Sequence, residues 1–149
     1  MTAGEYCNRE IVITEQDASV TEAAMLMRQY HVGDLVVIEK QGEKTLPIGI
    51  ITDRDIVIEV IAQKANPDSL IIKDILSTGL ITVEEKESMM DTLELMQHRG
   101  VRRIIVVDNQ GSLQGLLSAD DAIELIAEAM NNLTKLVKHE ITHEEKEHS

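Results

Sequence analysis

The sequence lacks tryptophan and phenylalanine, and it contains two tyrosines, Tyr6 and Tyr30. A flat ligand must therefore lie mainly against aliphatic and methionine side chains, because few rings are available for stacking. The single cysteine, Cys7, excludes an intramolecular disulfide. No apolar run approaches the ~18 residues that a membrane-spanning helix requires, so we expect no contact with a membrane interior.

Basic residues are also scarce: 14 Lys and Arg face 27 Asp and Glu, a formal charge of −13. Such a surface repels the phosphates of nucleic acids and of anionic lipids, and neither is expected as a partner. A small anionic ligand remains compatible, because a few arginines gathered in a partly dry cleft override a diffuse negative field. The first residues lack the basic start and apolar stretch of a secretion signal, so we expect a cytoplasmic location.

Within its 149 residues the chain contains two copies of one unit. The segment 19–37 aligns with 88–106 at a constant offset of 69, and 49–55 aligns with 115–121 at an offset of 66. The first copy has three extra residues between its last two strands. A chain of this length builds one core, so the two copies must share it.

Each copy predicts the order strand, helix, strand, strand, helix. β-Branched runs at 11–14 and 80–83 predict the first strands, and the capping signatures that start at Ser19 and Ser88 predict the first helices. Strands at 35–38, 47–51, 104–107 and 113–117 are apolar on both faces, which predicts burial. We expect the second helices to cover the sheets with Ile56, Val57, Val60 and Ile61 in one copy and Ile123, Ile126, Ala127 and Met130 in the other.

We therefore predict an α+β fold of two pseudo-symmetric βαββα repeats packed sheet to sheet. The first repeat covers residues 6–66 and the second covers 67–131, with a break at Asn66-Pro67-Asp68. A C-terminal helix end and polar tail occupy residues 132–149.

A hydroxyl and a carboxylate follow the last strand of each copy, as Thr52 with Asp55 and Ser118 with Asp121. At a helix start this spacing turns both side chains toward one point, where free backbone N–H groups favour an anion. The same pairs are also capping boxes, and most such pairs only start helices.

From about Tyr6 to about Met130 the chain resembles the tandem CBS domains that pair as a Bateman module. The motifs that carry this resemblance are Gly-Ile-Ile-Thr-Asp-Arg-Asp at 49–55, Val-Arg-Arg-Ile-Ile-Val-Val-Asp at 101–108 and Gly-Leu-Leu-Ser-Ala-Asp-Asp at 115–121. The resemblance implies that Thr52 and Ser118 position phosphate, that Asp55 and Asp121 accept hydrogen bonds from ribose, and that adenine lies in an aliphatic slot between the repeats. These roles suit the donor and acceptor capacity of the side chains.

The resemblance also implies that residues entering the second strands line the ligand cleft. With Arg54 beside them, these residues are Gly33, Val101, Arg102 and Arg103. Asp34 stands where Arg103 stands in the other copy, so we expect two unequal clefts, of which only one binds a charged nucleotide tightly. The alternative is that Arg102 and Arg103 form solvated ion pairs of little energetic consequence.

Other candidate sites are weaker. Asp53 and Asp55 could hold a metal ion, but Ala119 replaces Asp53 in the second copy. His139 and His143 have the i, i+4 spacing of a zinc pair, yet a charged terminal segment is more typical of a solvated helix end. We expect no metal site. No nucleophile and base are brought together around Cys7 or elsewhere, so we expect no catalytic residues and no enzyme activity.

We expect a regulatory module that binds AMP or a related adenosine compound and acts on an effector protein through a change of conformation. ADP, ATP, NAD and S-adenosylmethionine are the other candidate ligands, and no obligatory cofactor is expected. An apolar stripe from Ile123 to Ile141 predicts a partner helix, and the resemblance implies a homodimer. The alternatives are a ligand-free structural or interaction module and, third, an enzyme of nucleotide metabolism.

Overall fold

The computed structural model describes the backbone of residues 1–77 and 79–148 and the side chains of residues 1–77 and 79–142. Its elements in chain order are α1 (Ala3–Tyr6), β1 (Ile13–Glu15), α2 (Val20–Tyr30), β2 (Asp34–Gln41), β3 (Lys44–Thr52), α3 (Asp53–Ile56), a π-helical turn (Val57–Ile61), α4 (Ile72–Ile75), β4 (Thr82–Glu84), α5 (Met89–Arg99), β5 (Arg103–Val107), β6 (Leu113–Ser118) and α6 (Ala119–His148). The predicted α+β architecture of two similar halves with a C-terminal helix is confirmed.

Both halves contain a three-stranded sheet of the same topology. β1 lies parallel to β2, which pairs antiparallel with β3, and β4, β5 and β6 repeat this arrangement. The register of the antiparallel pair shifts between Val37 and Ile38 in one sheet and between Val106 and Val107 in the other. Because these irregularities occupy equivalent positions, the strand pairing repeats as faithfully as the sequence does.

The two sheets pack against each other through their central strands. Leu35 and Val37 of β2 face the helices of their own half, whereas Val36 and Ile38 face the other sheet, as period-two alternation requires. The cluster between the sheets consists of Val36, Ile38, Ile105, Val107 and Leu116. The two halves therefore share one apolar interface, which confirms the predicted sheet-to-sheet packing.

The first helices begin where the capping signatures predict. Ser19 Oγ accepts a hydrogen bond from the backbone N–H of Glu22 at 3.0 Å, and the Glu22 carboxylate accepts one from Ser19 N at 3.2 Å. Ser88 Oγ accepts from Asp91 N at 3.1 Å. Each hydroxyl satisfies a backbone donor that the first turn leaves without a partner.

Two short helices, α1 and α4, each pack against the opposite half of the molecule. The sequence did not predict this feature. α1 precedes the first repeat but packs its Ala3 against Val83 and Met89 of the second half. α4 lies at the start of the second repeat but packs its Ile72 against the core of the first half. Each sheet is therefore completed by a segment that leads into the other repeat.

The second helices differ from the prediction. In the first half only Ile56 and Val60 are buried, and a π-helical turn begins at Val57. In the second half the buried face of α6 starts with Ala122 and Leu125, so the stripe predicted to cover the sheet, from Ile123 to Met130, is exposed. Within the described residues, none of the helices combines the length and apolar character needed to cross a membrane.

Candidate functional site

The helix starts of α3 and α6 carry the two predicted hydroxyl and carboxylate pairs. Thr52 Oγ1 accepts from Asp55 N at 3.2 Å, while the Asp55 carboxylate accepts from Thr52 N at 2.9 Å. Ser118 and Asp121 repeat the exchange at 3.1 and 3.3 Å. Both pairs are therefore complete capping boxes. Each cap uses the hydroxyl only as an acceptor and one carboxylate oxygen, Oδ2, which leaves the hydroxyl proton and Oδ1 without a partner in the described part of the chain.

A backbone contact ties each helix start to the residue that enters the second strand. Asp53 N donates to the carbonyl oxygen of Gly33 at 2.9 Å, and Ala119 N donates to that of Arg102 at 2.8 Å. A Cβ added to Gly33 would lie 3.1 Å from the Asp53 carboxylate, so this approach favours glycine. The strand entries and helix starts are thereby held at the same edge of the two sheets.

These two edges meet around a central cavity of about 300 Å³, at the lower end of the ~300–1,000 Å³ typical of small-molecule sites. Both halves contribute to its wall. The lining residues are Thr52, Asp53, Arg54, Arg102, Arg103, Ser118, Ala119 and Asp120.

Two smaller clefts flank the central cavity and are equivalent by the internal repeat. The first cleft, about 120 Å³, is lined by Gly49, Ile50, Ser77, Gly79, Leu80, Ile81, Val101, Arg103 and Ile105. The second cleft, about 190 Å³, is lined by Asn8, Glu10, Ile11, Val12, Val32, Asp34, Leu116, Ser118 and Asp121. In each, the last strand of one repeat meets the strand entries of the other, so both repeats are needed to form either cleft.

The three candidate arginines differ in whether a carboxylate lies close to them. Arg103 Nε lies 2.7 Å from Asp34 Oδ2, in a pair whose side chains are 40% and 26% exposed. Arg102 lies 3.8 Å from Asp120, and both of these side chains are largely exposed. Arg54 alone among the three has no carboxylate within 4 Å in the described residues. Both Arg102 and Arg103 thus lie within ion-pair distance of a carboxylate, which is the alternative that the sequence left open for them.

The predicted binding residues fall into three groups. Five line the central cavity: Thr52, Arg54, Arg102, Arg103 and Ser118. Val101 lines the first cleft and Asp121 the second. Asp55 and Gly33 do not contribute to the walls of these three cavities, although both contact residues that do.

The family is decided by comparison with known sequences. The CBS domain family matches residues 3–62 and again residues 72–128. The chain belongs to the CBS domain family. A CBS domain-containing protein of Bacillus subtilis is 30% identical over 112 residues, which cover 75% of this chain and 76% of that protein.

Two further relatives place this CBS pair among its neighbours. An uncharacterized protein of Methanopyrus kandleri is 36% identical over 125 residues, 84% of this chain. The chain spans only 62% of the length of that relative. A solved structure, the CBS domain protein of Pyrobaculum aerophilum complexed with AMP, is 26% identical with a TM-score of 0.71, over 81% of this chain and 89% of that one.

The sequence did not identify the segments just before the first strand of each CBS repeat as walls of the clefts. The first strands begin two residues later than predicted, at Ile13 and Thr82. The apolar residues before them leave the sheets and line the clefts instead, as Ile11 and Leu80 do. The offset of 69 between these two positions was the available signal, because it pairs them in the two copies.

The remaining candidates for site chemistry are metal ligands and the thiol of Cys7. Among the described side chains, no group of three or more His, Cys, Asp and Glu residues is placed to hold a metal ion. The His143 side chain, one member of the predicted histidine pair, lies outside the described residues. Burial raises the pKa of the Cys7 thiol, which Arg9 partly offsets. A raised thiol pKa lowers the thiolate fraction and is typical of a structural cysteine.

Proposed function

We propose that this CBS pair binds an adenosine nucleotide, AMP first, between its two repeats and transmits occupancy to a partner protein by a change of conformation. The carrying observation is the pair of equivalent clefts, each formed by both repeats, of which the second is lined by Ser118 and Asp121 at the start of α6. The AMP complex of the Pyrobaculum aerophilum relative supports AMP as the first ligand to test. Because both repeats line each cleft, a ligand that binds one relative position of the repeats more tightly than another shifts the protein toward that position.

The unused hydrogen-bonding capacity of the capping boxes supports this assignment. The hydroxyls of Thr52 and Ser118 accept from the backbone, and their own protons remain to donate to a phosphate oxygen. Oδ1 of Asp121, which lines the second cleft, remains to accept from a ribose hydroxyl. Ligand binding therefore does not require the caps to break, so one set of residues serves both purposes.

Apolar walls and positive charge support the remaining contacts. Ile81 and Val101 line the first cleft, and Val12 and Val32 line the second. These aliphatic pairs form slots in which adenine can lie in the absence of aromatic rings. Arg54 supplies a cation to the wall of the central cavity, which shares Arg103 with the first cleft and Ser118 with the second.

The test is the thermal stability of the purified protein with AMP, ADP, ATP, NAD and S-adenosylmethionine at millimolar concentration. A ligand at 100 times its Kd stabilises the folded state by about 2.7 kcal/mol. We expect AMP to raise the Tm measurably. No shift with any of the five compounds would overturn the proposal.

Matched cap variants separate a ribose contact from simple capping. Asp121→Ala and Ser19→Ala each remove one helix-cap interaction and should each cost about 1 kcal/mol of stability without ligand. Ser19 caps α2 away from the clefts, so Ser19→Ala should keep the full AMP-dependent shift. Asp121→Ala should reduce that shift, and equal shifts in the two variants would remove Asp121 from the site.

The second candidate function is a ligand-free interaction module. It is favoured by the completeness of the caps and by the pairing of Arg102 and Arg103 with carboxylates. In that case the cavities hold only water, and none of the five compounds changes the Tm.

We further propose that the module is a homodimer formed through α6. Leu133 is 61% exposed, and it continues an exposed apolar surface that includes Ile126 and Met130. Exposed apolar surface of this extent is typical of protein contacts. Sedimentation velocity should show a dimer in the native chain and a monomer in Leu133→Glu. Asn132→Glu adds the same charge at the preceding position, which is polar, and this variant should remain dimeric. A monomeric native protein would contradict the assignment.

A further inference from the structure

Asp34 and Arg103 occupy equivalent positions in the two repeats and contact each other. Asp34 is the first residue of β2, Arg103 is the first residue of β5, and 69 residues separate them. In the sheets, Asp34 is paired with Thr52 and Arg103 with Ser118, so each begins its strand beside a helix start. Their ion pair of 2.7 Å therefore joins the two repeats next to both capping boxes.

The pair also separates the two clefts. Arg103 lines the first cleft and the central cavity, whereas Asp34 lines the second cleft. The Asp34 charge is thus partly neutralised by a residue that belongs to the wall of the other site. A ligand that displaces Arg103 from Asp34 therefore makes the second cleft more negative.

The charged residues differ between the two clefts, so displacement of Arg103 from Asp34 makes the second cleft more negative. Among the described residues, Arg103 is the only charged one that lines the first cleft, whereas Glu10, Asp34 and Asp121 all line the second cleft. With Arg103 in place, one of these three carboxylates is paired. Once Arg103 moves, all three face a ligand in the second cleft, and a phosphate there is repelled more strongly.

We propose that the Asp34 and Arg103 ion pair couples the two clefts, so that an anionic nucleotide in the first cleft opposes binding of an anionic nucleotide in the second. A phosphate in the first cleft competes with Asp34 for the Arg103 guanidinium. The released Asp34 carboxylate then disfavours an anion in the second cleft but not a neutral nucleoside. Because coupling between binding sites is reciprocal, a neutral ligand in the second cleft leaves AMP binding in the first unchanged. This inference rests on the proposed nucleotide binding.

The experiment is calorimetric titration of the full chain with AMP and, separately, with adenosine. In the native protein we expect one AMP site and a second at least about 5-fold weaker, which is the lower range of coupling between sites. Asp34→Asn removes the competing charge and should strengthen AMP binding in the first cleft by about tenfold, as the loss of one like charge nearby predicts. It should also strengthen AMP binding in the second cleft, because the Asp34 carboxylate no longer faces the phosphate there. Adenosine affinity should change by less than about twofold, because adenosine carries no charge for Asp34 to oppose.

Two further variants make the result specific. Asp120→Asn removes the carboxylate that Arg102 faces at 3.8 Å in the same central cavity, and both side chains are mostly exposed. Solvent screening should keep its effect on AMP affinity well below that of Asp34→Asn. Asp34→Ser removes the same charge as Asp34→Asn without an amide and provides a second measurement if the asparagine variant folds poorly.

The outcomes distinguish the coupling from the proposed function. If neither AMP nor adenosine binds the native chain, nucleotide binding itself fails. If AMP binds to two equal and independent sites, the coupling is wrong while the function stands. The coupling is also overturned if the charge-neutral Asp34 variants bind AMP no more tightly than the native protein, or if adenosine affinity rises as much as AMP affinity.

Discussion

Gly115 lies directly against Cys7, in a contact that leaves no room for a side chain. A Cβ built on Gly115 would lie 2.6 Å from Cys7 Sγ and 2.7 Å from the carbonyl oxygen of Asn8. Asn8 and Leu116 exchange backbone hydrogen bonds of 2.8 and 2.9 Å at the same place. The segment that leads into the first repeat is thereby held on the edge of β6, where Asn8 forms part of the second cleft.

We expect Gly115→Ala to destabilise the protein by about 2 kcal/mol or more, within the range for overpacked sites. The clash involves backbone atoms of residue 8, so relief requires the leading segment to move away from β6. Urea denaturation gives the free energy of unfolding.

Gly49 is the matched control, because it holds the equivalent position in the first repeat. The three atoms nearest to an added Cβ there all belong to the Leu76 side chain, at 3.0 to 3.2 Å. A leucine side chain can adjust its rotamer, so Gly49→Ala should cost about 1 kcal/mol or less. A larger loss in Gly49→Ala than in Gly115→Ala would contradict this account of the two contacts.

Cys7 should react slowly for a cysteine. Burial raises the pKa of its thiol, and the Sγ–H donates to the carbonyl oxygen of Gly4 at 3.6 Å. We expect alkylation by iodoacetamide at pH 8 to be slower than that of free cysteine, and slower again in Arg9→Ala, which removes the charge that lowers this pKa. Reaction as fast as that of free cysteine would contradict the burial.

The same pKa shift predicts a loss of stability at alkaline pH. The folded protein holds the thiol proton where the unfolded chain has released it, so this contribution to stability is complete below the ordinary thiol pKa of about 8.5. It is lost as the pH rises from that value through the raised pKa of the folded state. Denaturation across this range should show the loss in the native chain and a smaller loss in Cys7→Ser.

Ile105 connects the two sheets, and its side chain is fully buried in the cluster between them. We expect Ile105→Ala to lower the free energy of unfolding by about 2–5 kcal/mol, because it leaves a cavity where the two halves meet. Ile61→Ala makes the same chemical change at a residue that is 64% exposed and should stay within about 0.5 kcal/mol of the native protein. Similar losses in the two variants would show that the halves do not depend on this interface.

The sequence predicted those parts of the fold that local patterns encode. The capping boxes at Ser19 and Thr52 depend on residues three positions apart, and the buried strands depend on continuous apolar runs, so both are visible without tertiary information. The α1 and α4 helices were missed because four residues are too few to show a helical period. Their packing on the opposite halves depends on the way the chain crosses between repeats.

Part of the geometry of the candidate site could be predicted for the same reason. The duplicated motif brought Thr52 and Ser118 to one cavity, as the internal offset implies. The sequence could show that Asp34 matches Arg103, but not that these two residues meet, since their distance depends on how the sheets pack. The buried face of α6 was likewise misassigned, because its apolar residues cover more than one face and only packing selects Ala122 and Leu125.

His31 ends α2 in a left-handed conformation, with φ 54° and ψ 45°, and its equivalent in the second repeat is Gly100, with φ 65° and ψ 34°. A side chain in this region costs roughly 1 kcal/mol, whereas glycine adopts it freely. We therefore expect His31→Gly to raise the free energy of unfolding by about 0.5–1 kcal/mol and Gly100→Ala to lower it by about 1 kcal/mol, as measured by urea denaturation at pH 8. A Cβ on Gly100 would meet no atom within 4 Å, so the loss there reports backbone conformation alone. Destabilisation by His31→Gly would mean that the histidine side chain contributes more than its backbone strain costs.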